Sequence, residues 1–205
     1  MLPKTAKVII SVLLSILSVV LFCTLRGRER KSCMWAMLLC TVGDLFMVDL
    51  FGLGSASTYP GAALFMAGHI VYGMGFLSAA KSQNRPLCNR GFQIGLLLVI
   101  GAAVLLGALA FCVPEVPQTL MYFLILIYLA VIGFNLVCQF SCAWAERGSR
   151  WLIAVGMALF LLSDFVIFLN MLDVTPAHND FVWATYIPAQ LLILLFCREL
   201  KHTAA

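Results

Sequence analysis

Charged side chains are scarce in this chain, and that scarcity limits the kinds of protein it can be. Only 11% of the 205 residues are charged, while 63% are hydrophobic, whereas ordinary soluble domains carry about 25% charged residues. A soluble core of this length could not bury so much apolar surface, so the composition excludes a soluble globular domain. The net charge of +4 does not indicate a nucleic-acid partner, because membrane topology explains where the basic residues lie.

Several sequence signatures of specific chemistry are also missing. The eight cysteines include no Cys-x-x-Cys pair, so they indicate small packing residues rather than a metal site or a disulfide framework. The glycine-rich phosphate loop and the dinucleotide fingerprint are absent. The first hydrophobic stretch is too long for a signal-peptide core and has no convincing cleavage site, which predicts a retained helix.

Long apolar stretches dominate what remains. A hydrocarbon core of about 30 Å requires about 20 apolar residues per helix. This criterion predicts an all-α polytopic transmembrane bundle of about seven helices, forming one transmembrane domain over residues 1–205. The predicted helices lie near residues 5–25, 32–51, 61–80, 91–112, 117–143, 151–171 and 179–197.

Lysine and arginine are confined almost entirely to alternate connections. They follow the first, third, fifth and seventh predicted helices, at Arg26, Arg28, Arg30, Lys31, Lys81, Arg85, Arg90, Arg147, Arg150, Arg198 and Lys201. The intervening loops GLGSASTYP, VPEVP and DVTPAHND contain neither residue. The positive-inside rule therefore predicts a multi-pass protein, in a bacterial inner membrane, with its N-terminus outside and its C-terminus in the cytoplasm. Lys4 and Lys7 depart from the pattern, and we attribute them to snorkelling from the start of the first helix.

Two aspartates lie deep inside apolar stretches, Asp44 in MLLCTVGDLFMV and Asp164 in MALFLLSDFVIF. An ionisable side chain within a span costs roughly 2.5–3.5 kcal/mol on insertion scales, so such residues usually have a function. Each is followed about 25 residues later by a polar residue in another apolar stretch, His69 or Gln190. The alternative is that both aspartates are packing devices, hydrogen-bonded to neighbouring helices.

The two halves of the chain share this polar pattern. The paired motifs are Gly43-Asp44 with Phe65-x-x-x-His69, and Ser163-Asp164 with Tyr186-x-x-x-Gln190. In the predicted topology the four polar groups lie at a common depth, slightly beyond the midplane toward the outer face. This arrangement is typical of a parallel internal repeat, in which the substrate site lies at the repeat interface.

Four runs of residues occur in a characteristic order along the chain. They are the Gly-Asp pair at Asp44, F-x-x-x-H-x-x-Y from Phe65 to Tyr72, A-L-F-x-x-S-D from Ala158 to Asp164, and T-Y-x-x-A-Q-x-L-I from Thr185 to Ile193. Together they resemble the YhhN-type family of membrane proteins, whose animal members are lysoplasmalogenases. The resemblance covers the second to seventh predicted helices. Family members commonly have eight helices, whereas the first of these is not evident in this sequence, and Pro3-Lys4 inverts the Lys-Pro that often opens the family's second helix.

The resemblance implies hydrolysis of the vinyl ether bond of a lysoplasmalogen, giving a fatty aldehyde and glycerophosphoethanolamine or glycerophosphocholine. Two buried carboxyls suit this reaction, because one can protonate the outer alkene carbon while the other stabilises the oxocarbenium-like cation and draws a proton from water. We therefore expect Asp44 and Asp164 to be catalytic, although the sequence does not assign acid and base. No metal or organic cofactor is needed, and the expected partners are the lysophospholipid substrate and membrane lipid.

Other polar residues in spans are predicted to orient the substrate or a water molecule, namely His69, Tyr72, Tyr186, Gln190 and Asn135. The alternative for His69 is a helix–helix hydrogen bond, and for Tyr72 and Tyr186 it is ordinary bundle packing with a hydrogen-bonded hydroxyl. Whether Asn135 lines the pocket is left open.

The apolar chain of such a substrate needs aromatic or aliphatic walls in a cavity open to lipid. Aromatic residues available for this purpose are Phe46, Phe65, Phe160 and Trp183, of which the last also suits an interfacial anchor. Asp49 is interpreted as a solvated interfacial charge.

A proton-coupled small-solute transporter is the competing interpretation. Carriers also use seven helices with a parallel repeat, and midplane aspartates can couple protons to substrate movement. An enzyme requires carboxyls that converge on one closed pocket, whereas a carrier requires access from both faces. A purely structural role leaves the buried charges unexplained.

Overall fold

The computed structural model describes residues 3–25, 28–82, 88–112, 120–171 and 179–197. These residues form seven α-helices and one short 3₁₀ turn at Gly54–Ser57, without strands, which confirms the predicted fold class. The helices are α1 (Lys4–Leu25), α2 (Arg28–Met47), α3 (Thr58–Ser82), α4 (Arg90–Cys112), α5 (Leu120–Glu146), α6 (Arg150–Met171) and α7 (Asn179–Phe196).

The chain is a multi-pass integral membrane protein. In the described part of the chain, five helices are long and apolar enough to cross a membrane, namely α1, α3, α4, α5 and α6, and α7 is a shorter apolar helix. On the first helix, serine side chains face the bundle and large apolar side chains face away from it. Ser11 and Ser15 are buried against the bundle, whereas Ile9, Leu13 and Ile16 are exposed. Lipid contact explains this inverted pattern, which water would not tolerate over so many residues.

The second helix differs most from its prediction. It begins at Arg28 and ends at Met47, whereas hydropathy predicts 32–51. Its charged first turn is helical because Glu29 is buried against other helices. Its C-terminus comes early because the chain turns at Asp49, which has a left-handed φ of 52°.

Two other boundaries also shift. The third helix begins at Thr58 rather than 61. Pro60 lies in its first turn, where backbone N–H groups have no partner within the helix, so the missing N–H of proline costs no hydrogen bond. The fifth helix covers Leu120–Glu146 rather than 117–143; residues 117–119 lie outside the described part of the chain.

The helices pack in two similar groups of three. Within the groups, α2 contacts α1 and α3, and α6 contacts α5 and α7; between them, α3 contacts α5, and α1 contacts α7. If α1, α2 and α3 are matched with α5, α6 and α7 in that order, every contact in one group has its counterpart in the other. The contact of α3 with α5 likewise corresponds to that of α7 with α1, as a parallel repeat requires. Because α4 lies between the groups in sequence and packs on α5, it reverses the chain and allows the second group to repeat the orientation of the first.

Close contact between α2 and α3 depends on small residues. A Cβ atom at Gly68 would lie 2.9 Å from Cys40 Sγ, and one at Gly43 would lie 3.2 Å from the Phe65 ring. Small residues at such crossings let helix backbones approach closely. The glycine before Asp44 therefore helps hold α2 against the helix that carries His69.

Buried ion pairs close the end of the bundle that contains Arg150. Its Nη1 atom lies 2.6 Å from Glu29 Oε1, and its Nε atom lies 3.6 Å from Glu146 Oε2. Arg30 donates from Nη1 to the Leu194 carbonyl oxygen at 3.5 Å. These contacts connect α2, α5, α6 and α7 at what we call the basic end. The end that contains Lys4 is called the N-terminal end.

Candidate active site

A cavity of about 230 Å³ at the N-terminal end reaches both intramembrane aspartates. It is bounded by residues of α1, α2, α3, α6 and α7. Its buried floor carries Asp44, Asp164 and Tyr186; its walls carry Met47, Val48, Phe65, Ile167, Val182 and Trp183; and its mouth carries Lys4, Lys7 and Asp49. The predicted convergence of Asp44 and Asp164 on one cavity is therefore present in the structure.

Two hydroxyl groups hold the Asp44 carboxyl in place. Ser11 Oγ donates to Oδ2 at 2.7 Å, and Tyr186 Oη donates to the same oxygen at 3.0 Å. No described residue donates a hydrogen bond to Oδ1. One oxygen thus fixes the side chain, and the second is available to a substrate or a water molecule.

Asp164 has a similar environment. Tyr128 Oη donates to Oδ2 at 2.6 Å, and His69 Nε2 lies 3.6 Å from that oxygen. Within the described part of the chain, Oδ1 again receives no hydrogen bond. Tyr128 therefore fixes the carboxyl, and His69 is close enough to approach it after a small movement.

The partners of the two aspartates follow the repeat. Each aspartate lies on the middle helix of its group and accepts a hydrogen bond from the first helix of that group, from Ser11 on α1 or Tyr128 on α5. Each also faces a ring from the third helix of the other group, Tyr186 on α7 or His69 on α3. The site therefore lies between the two groups, where a parallel repeat is expected to bind its substrate.

Neither carboxyl has a lysine or arginine partner among the described residues, and only His69, if protonated, would place a positive charge beside one of them. Two carboxyls that share one buried cavity without such a partner are candidates for groups that exchange protons with a bound molecule. In the same residues, no three His, Cys, Asp or Glu side chains form a group that could hold a metal ion.

His69 is fully buried behind Asp164 rather than on the cavity wall. Its ring packs against Phe160, with centroids 4.5 Å apart, and against Tyr128, with centroids 5.5 Å apart. Neither ring nitrogen has a hydrogen-bond partner among the described residues. An imidazole with this unused capacity, 3.6 Å from a carboxyl, is suited to stabilising or relaying charge at Asp164.

Three of the predicted orienting residues lie in helix–helix hydrogen bonds instead of on the cavity surface. Tyr72 Oη donates to Gln190 Oε1 at 2.9 Å and so joins α3 to α7. Asn135 Nδ2 donates to the His69 carbonyl oxygen at 2.6 Å and so joins α5 to α3. These bonds position the helices that carry His69 and Tyr186, and a direct role toward substrate stays a prediction.

Only two of the four predicted aromatic wall residues line the cavity in the structure. Phe65 and Trp183 line the cavity, while Phe160 is buried between His69 and Tyr186. Phe46 packs on Phe51, with ring centroids 4.6 Å apart, and does not contribute to the cavity wall.

Sequence reasoning did not identify two partners of the aspartates, Ser11 and Tyr128. A signal for the first was present, because Ser11, Ser15 and Ser18 recur at helical spacing on one face of α1. Tyr128 could have been identified only by including in the repeat the helix that precedes each aspartate-bearing helix, which matches α5 with α1. The cavity mouth also includes Lys4 and Lys7, for which the sequence analysis gave only snorkelling as an explanation.

Comparison with known proteins adds one match. The model of the YhhN family matches residues 4–196, which include the aspartates and every side chain that holds them. No curated protein and no solved structure matches the chain. The chain belongs to the YhhN family.

Proposed function

We propose that this protein is a lysoplasmalogenase-like membrane hydrolase. It cleaves the vinyl ether bond of lysoplasmenylethanolamine or lysoplasmenylcholine to a fatty aldehyde and the corresponding glycerophospho compound. The observation that carries the proposal is the pair of carboxyls on one cavity, each with one oxygen fixed and one available. Family membership and the membrane-embedded site support it.

The reaction needs one acid and one base at the vinyl ether. The protonated carboxyl of the pair gives its proton to the outer alkene carbon, and the π electrons form the new C–H bond while the ether oxygen stabilises the resulting cation. The ionised carboxyl faces that cation and removes a proton from water as the water oxygen bonds to the inner carbon. The hemiacetal then gives its hydroxyl proton to the carboxylate that acted as the acid, and the C–O bond to glycerol breaks. The glycerol oxygen takes the proton that the other carboxyl had removed from water, so both carboxyls return to their starting states.

The surrounding side chains keep the two carboxyls in position through this sequence. Ser11 and Tyr186 hold Asp44, and Tyr128 holds Asp164. Groups fixed in advance stabilise developing charge without reorganising during the reaction. His69 stabilises the ionised form of Asp164 when it carries a proton itself.

The long apolar chain of the substrate has a route away from Asp164. A narrow space of about 10 Å³ shares Met47, Phe65 and Asp164 with the cavity, and shares Phe168 with an apolar pocket of about 60 Å³ between α3, α5 and α6. Tyr59 and Ala63 of that pocket are exposed on the surface of the bundle. We assign this route to the alkenyl chain, which thereby stays in contact with lipid.

From the positive-inside bias of the sequence we propose that the cavity mouth faces the outer side of a bacterial inner membrane and that the C-terminus lies in the cytoplasm. Proton-coupled transport remains the alternative. It receives less support, because the Tyr72–Gln190 bond lies between the aspartates and the basic end, and the Glu29–Arg150 ion pair closes that end. A carrier would have to break both contacts to open the cavity toward the basic end.

The test is to incubate the purified protein with a lysoplasmalogen and to measure aldehyde release. We expect aldehyde and the glycerophospho compound in equal amounts, and neither from the matching lipid with a saturated ether. Folded protein that releases no aldehyde would contradict the proposal. Proton-dependent uptake of a small solute into proteoliposomes, without hydrolysis, would support the carrier instead.

A further inference from the structure

Two lysines stand at the mouth of the cavity that contains the aspartates. We propose that Lys4 and Lys7 bind the phosphate of the lysophospholipid head group and thereby select phospholipids over neutral ether lipids. The role of the site in hydrolysis rests on the proposed function, but the binding of phosphate can be measured without it.

The lysines lie on the face of α1 that is turned toward the site. Lys4, Lys7 and Ser11 are separated by three and then four residues, which places them on one side of a helix. Ser11 holds Asp44, and four residues of helix rise by about 6 Å. Along α1, Lys7 therefore lies about one helical turn and Lys4 about two turns from the serine that holds Asp44. The glycerol backbone of a lysophospholipid likewise places its phosphate a short distance from the ether oxygen.

Neither lysine is neutralised within the described part of the chain. No carboxylate there lies within 4 Å of Lys4 or Lys7. Lys7 instead has its Nζ atom 5.8 Å from the centre of the Trp183 ring, a contact that positions the cation without reducing its charge. Trp183 itself lines the cavity, so the lysine is held beside the route that a ligand must take.

These two cations also break the charge pattern of the whole sequence. The three loops predicted at this end contain no lysine or arginine, and the positive-inside rule disfavours basic residues there. Snorkelling explains how they are tolerated but not why both line a cavity. An anionic ligand in the mouth explains this position.

The third charged residue of the mouth fits the rest of a zwitterionic head group. Asp49 lies in a turn with a φ of 52°, and its Oδ1 atom accepts a hydrogen bond from the Gly54 N–H at 3.0 Å. The turn fixes the carboxylate at the edge of the cavity. Phosphate at the lysines would leave the ammonium group of ethanolamine or choline on this acidic side of the mouth.

The experiment uses two lipids that the protein cannot hydrolyse by the proposed reaction, a saturated 1-O-alkyl lysophosphoethanolamine and the 1-O-alkylglycerol with the same chain. Binding is measured on purified protein in nanodiscs for wild type and for Lys4→Gln/Lys7→Gln. We expect the double variant to bind the phospholipid at least tenfold more weakly and the alkylglycerol unchanged. Lys81→Gln, at the basic end of α3, is the matched control, and Lys4→Arg/Lys7→Arg should retain phospholipid binding because the charge is kept.

Because neither probe reacts, this result is independent of whether aldehyde release is observed. Equal affinity of wild type and Lys4→Gln/Lys7→Gln for the phospholipid would overturn the proposal. An equal loss for both lipids would do so too, since it would indicate damage to the bundle rather than loss of a phosphate contact. Inorganic phosphate is the remaining probe, and binding tighter than that of the phospholipid would assign the lysines to a free anion rather than a lipid.

Discussion

The two ends of the bundle compensate buried charge differently. At the basic end, Glu29 and Arg150 are 1% and 5% exposed, and each is the other's partner at 2.6 Å. At the N-terminal end, Asp44 and Asp164 are buried to a similar degree, at 5% and 3% exposed. Their described hydrogen-bond partners are hydroxyl groups, supplemented by an imidazole at 3.6 Å.

This difference separates structural charge from charge that is available for chemistry. A buried pair of opposite charges is strongly destabilised when one partner is removed, but its charges are already satisfied by each other. Buried carboxyls that no described lysine or arginine pairs with can exchange protons with a bound molecule, and such groups are candidates for functional residues. We therefore expect mutations at the two ends to affect different measured quantities.

The largest effect is expected from removing the acidic function of either aspartate. Asp44→Asn and Asp164→Asn should each lower aldehyde release by about 10²–10⁴-fold, because Asn keeps the shape but cannot transfer a proton. Elution as a monodisperse species in detergent would show that folding is retained. Asp180→Asn, an exposed carboxylate at the same end, is the control, and near wild-type turnover in either intramembrane variant would return that aspartate to a structural role.

At the basic end the expected loss is in stability. Arg150→Gln leaves the buried Glu29 and its neighbour Glu146 without their cation and should lower the free energy of unfolding by about 3–5 kcal/mol. Glu29→Gln should lower it less, because Arg150 keeps its contact with Glu146. Turnover per folded molecule should stay within about twofold of wild type. Unfolding in a denaturing detergent and active-fraction measurements separate the two quantities. A collapse of turnover in fully folded protein would show that the two ends are not functionally distinct.

A smaller effect is expected from the tyrosines that hold the carboxyls. Tyr128→Phe and Tyr186→Phe each remove one hydrogen bond to an acidic group, worth about 1.5–3 kcal/mol when the group is charged, so turnover should fall about tenfold or more. Tyr72→Phe loses only its bond to Gln190 and should reduce turnover by less than about threefold. Steady-state kinetics of the three variants rank these contacts, and an effect of Tyr72→Phe as large as the others would restore its predicted role toward substrate.

The smallest contrast concerns His69. His69→Gln should retain more activity than His69→Ala, because Gln can donate a hydrogen bond toward Asp164 and is already present at the repeat-related position, Gln190. The measurement is the turnover of wild type and of both variants from pH 5 to 8, because only wild type carries an imidazole that can take up a proton. Equal inactivity of the two variants would show that hydrogen bonding is insufficient and that the imidazole transfers a proton.

The contrast between the ends also explains which parts of the fold could be predicted. Apolar stretch lengths identified all seven helices, because a span must be apolar whatever its neighbours are. They misplaced the start of α2, since its charged first turn becomes helical only when Glu29 meets Arg150, a residue far away in sequence. Hydropathy carries no information about such a pairing.

The sequence predicted the two aspartates of the site, together with Tyr186 and the aromatic walls Phe65 and Trp183. The cost of the aspartates in a span and their repeated spacing indicated a shared location, which the cavity contains. Ser11 and Tyr128 could not be ranked above other serines and tyrosines, because which residue of a helix meets a carboxyl depends on the rotation of that helix. Lys4 and Lys7 gained significance only when α1 was placed beside Trp183 of α7.

The central claim is that Asp44 and Asp164 act as one unit on one bound lipid. A double-mutant cycle of Asp44→Asn and Asp164→Asn, with aldehyde release from a lysoplasmalogen as the readout, tests it most directly. Residues that act together give non-additive losses, so the double variant should be no slower than the slower single variant. Losses that multiply in the double variant would show two independent contributions and would contradict the two-carboxyl mechanism.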